Sequence, residues 1–199
     1  YHYLGHVSLN SCKTIVFSHF LKLEMKYIHI VSFDVPYPPD YGGIVAVHKL
    51  IELFNSRGIK VILHVFIYNN KIVYPKLEML CYKVIKYKRK TGFISNASMK
   101  PYIVNSRRDP QLLKNLLADS YPVLLEGIHS TYYLSELVKT KKNVFVRAHN
   151  IEWQYYKSLA LSEKSFLKKL FFKIESFKLQ HYENRNLRYA NKVFCFTEN

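Results

Sequence analysis

The segment from Tyr27 to Ile67 constrains the fold more than any other part of the sequence. It opens with Tyr27-Ile-His-Ile-Val-Ser-Phe33, an apolar run with the β-branched and aromatic content of a buried strand. The loop from Asp34 to Gly43 carries Pro36, Pro38, Pro39, Gly42 and Gly43. Val47, Leu50, Ile51 and Phe54 then recur at spacings of three and four, which predicts a helix over 44–57 stopped by Gly58. Ile59 to Ile67 reads as a second strand. Two buried strands joined through a helix cannot make a hairpin. They require a parallel sheet with a right-handed crossover.

The alternation continues along the chain. Tyr82–Tyr87 alternates and predicts a more exposed strand. Asp109-Pro110 pairs an N-cap residue with Pro at the first helical position, predicting a helix over 111–118. Strands are expected over 122–126, 143–147 and 192–196, a helix over 132–138, and one or two long helices over 152–190. In the last of these, Leu167, Leu170, Phe171, Ile174 and Phe177 mark an apolar side. The class is α/β, a Rossmann-like parallel sheet flanked by helices, without internal repeats. The chain begins at Tyr1 rather than Met, and Met25 directly precedes the first strand. Residues 1–24 are therefore expected to be a non-native or read-through extension, a genuine extension being the alternative, and 25–199 the domain. The apolar stretch from Thr14 to Leu23 is broken by His19 and Lys22 and lacks the length of a span and the cleavage site of a signal peptide. The sequence stops directly after a strand, so truncation is expected.

Composition narrows the partner. With 49% hydrophobic and 22% charged residues the chain builds a core rather than a disordered tail. Cys12, Cys81 and Cys195 lack metal-ligand spacing and read as reduced thiols of a cytoplasmic protein. Thirty Lys and Arg against 14 Asp and Glu give a net charge of +16, which favours an anionic partner. That charge is uneven. Residues 25–80 carry +2, residues 81–118 carry +8 from nine bases and one acid, and residues 119–199 carry +5. A charge run is usually a solvated face, but Arg107-Arg108 beside a helix start could instead hold a phosphate. No zinc-finger, RNP or helix-turn-helix signature accompanies the charge, so no nucleic acid is expected. A phosphate-bearing acceptor or an anionic membrane surface fits better.

Ligands of open parallel sheets bind beyond the carboxyl ends of the strands, which selects the loops after Phe33, Leu125, Arg147 and Phe196. In the first, Gly42 and Gly43 let backbone N–H groups approach an anion at a helix start, or simply make a tight turn. In the second, Glu126 and His129 could bind sugar hydroxyls or position a base, or form a structural pair. In the third, Arg147, His149 and Asn150 put polar groups at the tip of an apolar strand. His149 is the candidate for the reacting part of a sugar, a core or capping histidine being the alternative. There is no GxGxxG, Walker, HExxH, CxxC pair or GxSxG motif, so dinucleotide, hydrolase and metal-enzyme readings gain no support.

These loops, in this order, resemble the N-terminal domain of bacterial glycosyltransferases of the GT-B fold, family 4, especially members from Bacteroidetes. The residues that carry the resemblance are Tyr27-Ile-His-Ile-Val-Ser, Pro36-Tyr-Pro-Pro-Asp-Tyr-Gly-Gly43, Leu125-Glu-Gly-Ile-His129, Arg147-Ala-His-Asn-Ile-Glu152 and Phe196-Thr-Glu-Asn199. The resemblance implies half of a two-domain, retaining enzyme whose C-terminal donor-binding domain nothing here matches. It implies a nucleotide-sugar donor, a glycan or lipid-linked acceptor, and no cofactor or metal. By the same resemblance Gly42 and Gly43 would face the donor diphosphate and His149 the transferred sugar. Glu126, His129, Arg147 and Asn150 would line the acceptor cleft. Such an enzyme would be cytoplasmic, with peripheral contact to the inner face of the membrane. A stand-alone Rossmann-like nucleotide- or anion-binding protein is the alternative.

Overall fold

Strands and helices alternate through the residues that the computed structural model describes, 25–68, 74–92 and 98–195. In chain order they are β1 (Tyr27–Ser32), α1 (Gly42–Ser56), β2 (Lys60–Ile67), α2 (Pro75–Leu80), β3 (Lys83–Lys88), α3 (Tyr102–Asn105), α4 (Pro110–Leu116), β4 (Val123–Glu126), α5 (Leu134–Lys139), β5 (Val144–Ala148), α6 (Glu152–Ser162), α7 (Phe166–Asn186) and β6 (Lys192–Cys195). All six strands are parallel, in the order β3-β2-β1-β4-β5-β6. This is the expected Rossmann-like α/β sheet. Its strand order reverses between β1 and β4, where such sheets open a crevice. The expected extension over residues 1–24 and the closing Phe196–Asn199 stretch lie outside the described residues.

The alternation of side chains divides the core. Ile28, Ile30, Leu63, Leu124 and Phe145 face one way, under Val47, Leu50, Ile51 and Phe54 of α1 and Leu77 of α2. Val31, Phe66, Leu125 and Val146 face the other way, under Leu112 and Leu116 of α4 and Leu134 and Leu137 of α5. Each such side chain contributes about 1.5–3 kcal/mol of burial free energy. Strand β3 lies at the edge and buries only Tyr87, in line with its polar alternation. The two helices that periodicity does not predict, α2 and α3, span six and four residues, too few turns to show a pattern.

A polar chain crosses the second face beneath the sheet. Asn115 Nδ2 donates to Tyr87 Oη, and that hydroxyl meets His64 Nδ1, both at 2.8 Å. His64 Nε2 meets His29 Nδ1 at 2.8 Å, and His29 Nε2 meets the Asp119 carboxylate at 3.0 Å. An ionised carboxylate only accepts, so His29 carries its proton on Nε2. That requires His64 to donate from Nε2 and Tyr87 to donate to Nδ1. Every hydrogen bond in the chain thus has one direction, and burial holds both imidazoles below their ordinary pKa.

Helix α7 is where expectation and structure part. Of its predicted apolar side, Leu167, Leu170, Ile174 and Phe177 are exposed and Phe171 is half-buried against the Tyr102 ring, while Glu175, Ser176, Leu179, Tyr182 and Glu183 are buried. The two buried acids have helix starts as partners. Glu175 accepts from the Tyr102 N–H that opens α3, and from Lys178 Nζ. Glu183 accepts from the Glu152 and Trp153 N–H groups that open α6. Carboxylates at helix N-termini meet the positive end of the macrodipole.

Burial and the neighbouring Glu152 nevertheless push the Glu183 carboxyl up to about 7. A carboxyl whose pKa is higher folded than unfolded stabilises the fold below its unfolded value. That contribution is lost as pH rises through the folded value. Glu183→Gln should therefore gain on the wild type by roughly 2–3 kcal/mol between pH 5 and pH 8. Urea unfolding of both proteins across that range measures the difference, and parallel pH profiles would refute the assignment.

Candidate functional site

Four of the predicted residues meet at the carboxyl ends of β4 and β5. The parallel register places Glu126 directly beside Arg147. Arg147 Nε donates to Glu126 Oε2 at 2.8 Å, with both side chains fully buried. His149, two residues beyond Arg147, reaches the same oxygen with Nε2 at 2.8 Å. Its side chain keeps 11% exposure, so it stands between the buried ion pair and solvent. Burial opposes ionisation of Glu126, but Arg147 and His149 outweigh it and hold the carboxyl below its ordinary pKa. Glu126 Oε1 is buried without a hydrogen-bond partner.

The chain leaves β4 through Gly127, whose φ of +69° lies in the left-handed region. A Cβ there would also sit 2.9 Å from His129 Nδ1. The glycine thus sharpens the turn into the 3-10 segment Ile128–Ser130 and makes room for the imidazole. His129 Nδ1 is buried and unpartnered. Burial, then Arg107 and His149, hold its pKa well below the ordinary value, so the ring is neutral.

Phe33, the first residue after β1, joins these loops. Its ring stacks on His129 with centroids 5.0 Å apart and meets the edge of His149 at 5.8 Å. On its other side it approaches Gly43, where a Cβ would stand 3.1 Å from Cζ. Helix α1 opens at Gly42-Gly43 with no side-chain cap and no acid in its first turn. A Cβ on Gly42 would meet nothing within 4 Å. The first-turn amides of this 15-residue helix therefore open beside the crevice and can take an anion. Asp34 lies nearby, accepting from Val35 N and from Tyr41 Oη, so the loop itself supplies no positive charge.

The two predicted phosphate contacts separate. Arg107 is buried, donating from Nε to Phe33 O at 2.9 Å and from Nη1 to Ile103 O at 2.6 Å. Burial, then the neighbouring Arg89, push its pKa down to about 9. It pins the carbonyl that ends β1, so its first role is to hold the loop. Arg108 turns to Asn105 Oδ1. Asn150 is exposed and hydrogen-bonds Glu152, the buried first residue of α6, whose carboxyl burial raises above its ordinary pKa. Among the described residues no group of three or more His, Cys, Asp or Glu is placed to hold a metal ion.

The chain is 32% identical over 156 residues to an uncharacterized 44.6 kDa protein in the cps region of Klebsiella pneumoniae. The match takes in 74% of this chain and 39% of that protein, so the chain spans well under half of its relative. No family model and no solved structure matches the chain.

Sequence reasoning reaches the ends of β4 and β5 but misses Phe33 as their common neighbour, and Glu183 behind Glu152. Phe33 carries one signal, an aromatic residue at the end of the central strand. Glu183 carries none, because 31 residues separate it from Glu152, whose amide it caps.

Proposed function

We propose that the chain is the acceptor-binding half of a retaining glycosyltransferase that moves a sugar from a nucleotide-sugar to a glycan or lipid-linked acceptor. One observation carries the reading. His129 and His149 flank the Phe33 ring, and the buried Glu126–Arg147 pair holds His149, at the reversal point of the strand order beside the uncapped start of α1. A donor diphosphate approaching Gly42 and Gly43 would meet backbone N–H groups rather than side chains. The local charge of +2 over residues 25–80 leaves its cations to be supplied from elsewhere in the enzyme. His149, held by Glu126 and partly open, would contact the transferred sugar. The neutral His129 and the exposed Asn150 offer hydrogen bonds to acceptor hydroxyls. The relative from a cps region, a capsule polysaccharide gene cluster, supports a biosynthetic role of this kind.

The test is sugar transfer by the complete reading frame that contains these residues, given radiolabelled nucleotide-sugars and a membrane and glycan extract. Transfer that requires sequence outside residues 25–199 is the expected result. Tight nucleotide binding by the isolated chain, with no transfer by the complete protein, would replace this reading with a stand-alone nucleotide-binding protein.

A further inference from the structure

We infer that Arg89 and Arg107 together form an oxyanion site in the crevice, and that the acceptor therefore carries a carboxylate or phosphate on its sugar. The assignment to an acceptor rests on the transferase reading above; the anion site does not. Arg89 follows the carboxyl end of β3, and its backbone N–H donates to Ile67 O at the end of β2. Its guanidinium lies 5.3 Å from the Tyr68 ring centroid and 5.5 Å from that of Tyr102. Nε donates to Ser106 Oγ at 3.1 Å. These contacts fix a half-buried guanidinium in place. Both Nη nitrogens are left without a hydrogen-bond partner among the described residues.

Charge points these donors at an anion. Arg107 is buried, and its Nε and Nη1 already hold the Phe33 and Ile103 carbonyls, which leaves Nη2. Burial first, and then Arg89, lower the Arg107 pKa, so the two guanidiniums feel each other. Among the described residues neither forms an ion pair. Asp34 and Glu152 act on Arg107 only through longer-range attraction. His129 and Tyr156 feel both arginines, but burial keeps the imidazole neutral and the phenol protonated. Two like charges held together, one buried and neither paired, are costly unless an anion joins them. A guanidinium fork matches the paired oxygens of a carboxylate or a phosphate. Arg89 is held by the link between α3 and α4, on the sheet face that α4 covers, whereas Gly42-Gly43 opens α1 over the other face. The anion is therefore distinct from a donor diphosphate at α1. Adjacency in sequence pairs Arg107 with Arg108; the fold pairs it with Arg89 instead.

Titration of the isotope-labelled chain with glucuronate, glucose 6-phosphate and glucose, followed by the NMR shifts of backbone amides and arginine Nε–H groups, tests this. At least one of the two anionic sugars should bind about tenfold or more tighter than glucose and shift the Arg89 Nε–H signal, and whichever binds identifies the anion. Arg89→Gln should weaken that binding by about tenfold or more, with a melting temperature close to that of the wild type. Arg89→Lys, which keeps the charge but loses the fork, should recover only part. Equal binding of all three sugars overturns the inference, as does an Arg89→Gln variant that binds like the wild type. So do shifts confined to Gly42 and Gly43, which would assign the anion to the start of α1. These titrations require no sugar transfer, so the two readings fail separately. Anion binding at Arg89 without transfer by the complete protein keeps the site and removes the transferase. Transfer to neutral acceptors alone keeps the transferase and overturns the anionic acceptor.

Discussion

Replacing Glu126 by leucine is expected to cost about 3–5 kcal/mol of folding stability, the largest loss from any single change at the site. Glu126 and Arg147 are both fully buried and joined at 2.8 Å, and His149 shares the same oxygen. Leucine fills the space but leaves the guanidinium in the interior without its carboxylate. Removing one partner of a buried pair leaves the desolvation penalty of the other, whereas removing both largely cancels it. Adding Arg147→Met should therefore recover most of the loss. The cycle also depends on pH. The Glu126 carboxyl is held below its ordinary value, so its contribution is present above that value and fades as pH falls through the folded one. The gap between wild type and variant should narrow in acid. Urea titrations of the two single variants and the double variant decide the matter. A cost under about 1 kcal/mol for Glu126→Leu would describe a solvated surface pair instead.

His149→Ala should behave in the opposite way. On the proposed transferase reading it is expected to lower turnover of the complete protein by about 10²–10⁴-fold, the range of a positioned acid–base or contact group. Its stability cost should stay near one hydrogen bond, about 0.5–1.5 kcal/mol, because Glu126 keeps Arg147 when the imidazole is gone. The two variants thus separate one buried cluster into a member that holds the fold and a member proposed to meet the substrate. Transfer rates read beside melting temperatures make the comparison. Full turnover in His149→Ala would remove the sugar from its proposed place beside that ring.

Much of this arrangement is legible in the order of the residues. The start of α1 follows from the Pro- and Gly-rich loop that precedes an apolar spacing of three and four, and the Glu126 end of β4 and the Arg147 to His149 end of β5 follow from apolar runs that stop at polar residues. The pairing of Glu126 with Arg147 is not legible there, because it depends on the β4–β5 register across 21 residues. Arg107 and Arg108 show the same limit. Adjacent in sequence, they read as one basic site, yet one is buried on backbone carbonyls and the other turns to Asn105.

Residue order therefore sets the elements, the parallel class and the loops that carry the polar groups. Local spacing is enough for that: a period near two or near 3.6 reports which residues share a side of a strand or helix. Where each side points is a matter of long-range packing. The apolar stripe of α7 has the spacing of a core face, yet the fold turns it to solvent. The opposite side is held inward by Glu175 on the start of α3 and Glu183 on the start of α6. Periodicity contains no term for those partners, since they lie far away along the chain and meet α7 only once the sheet has closed beneath it.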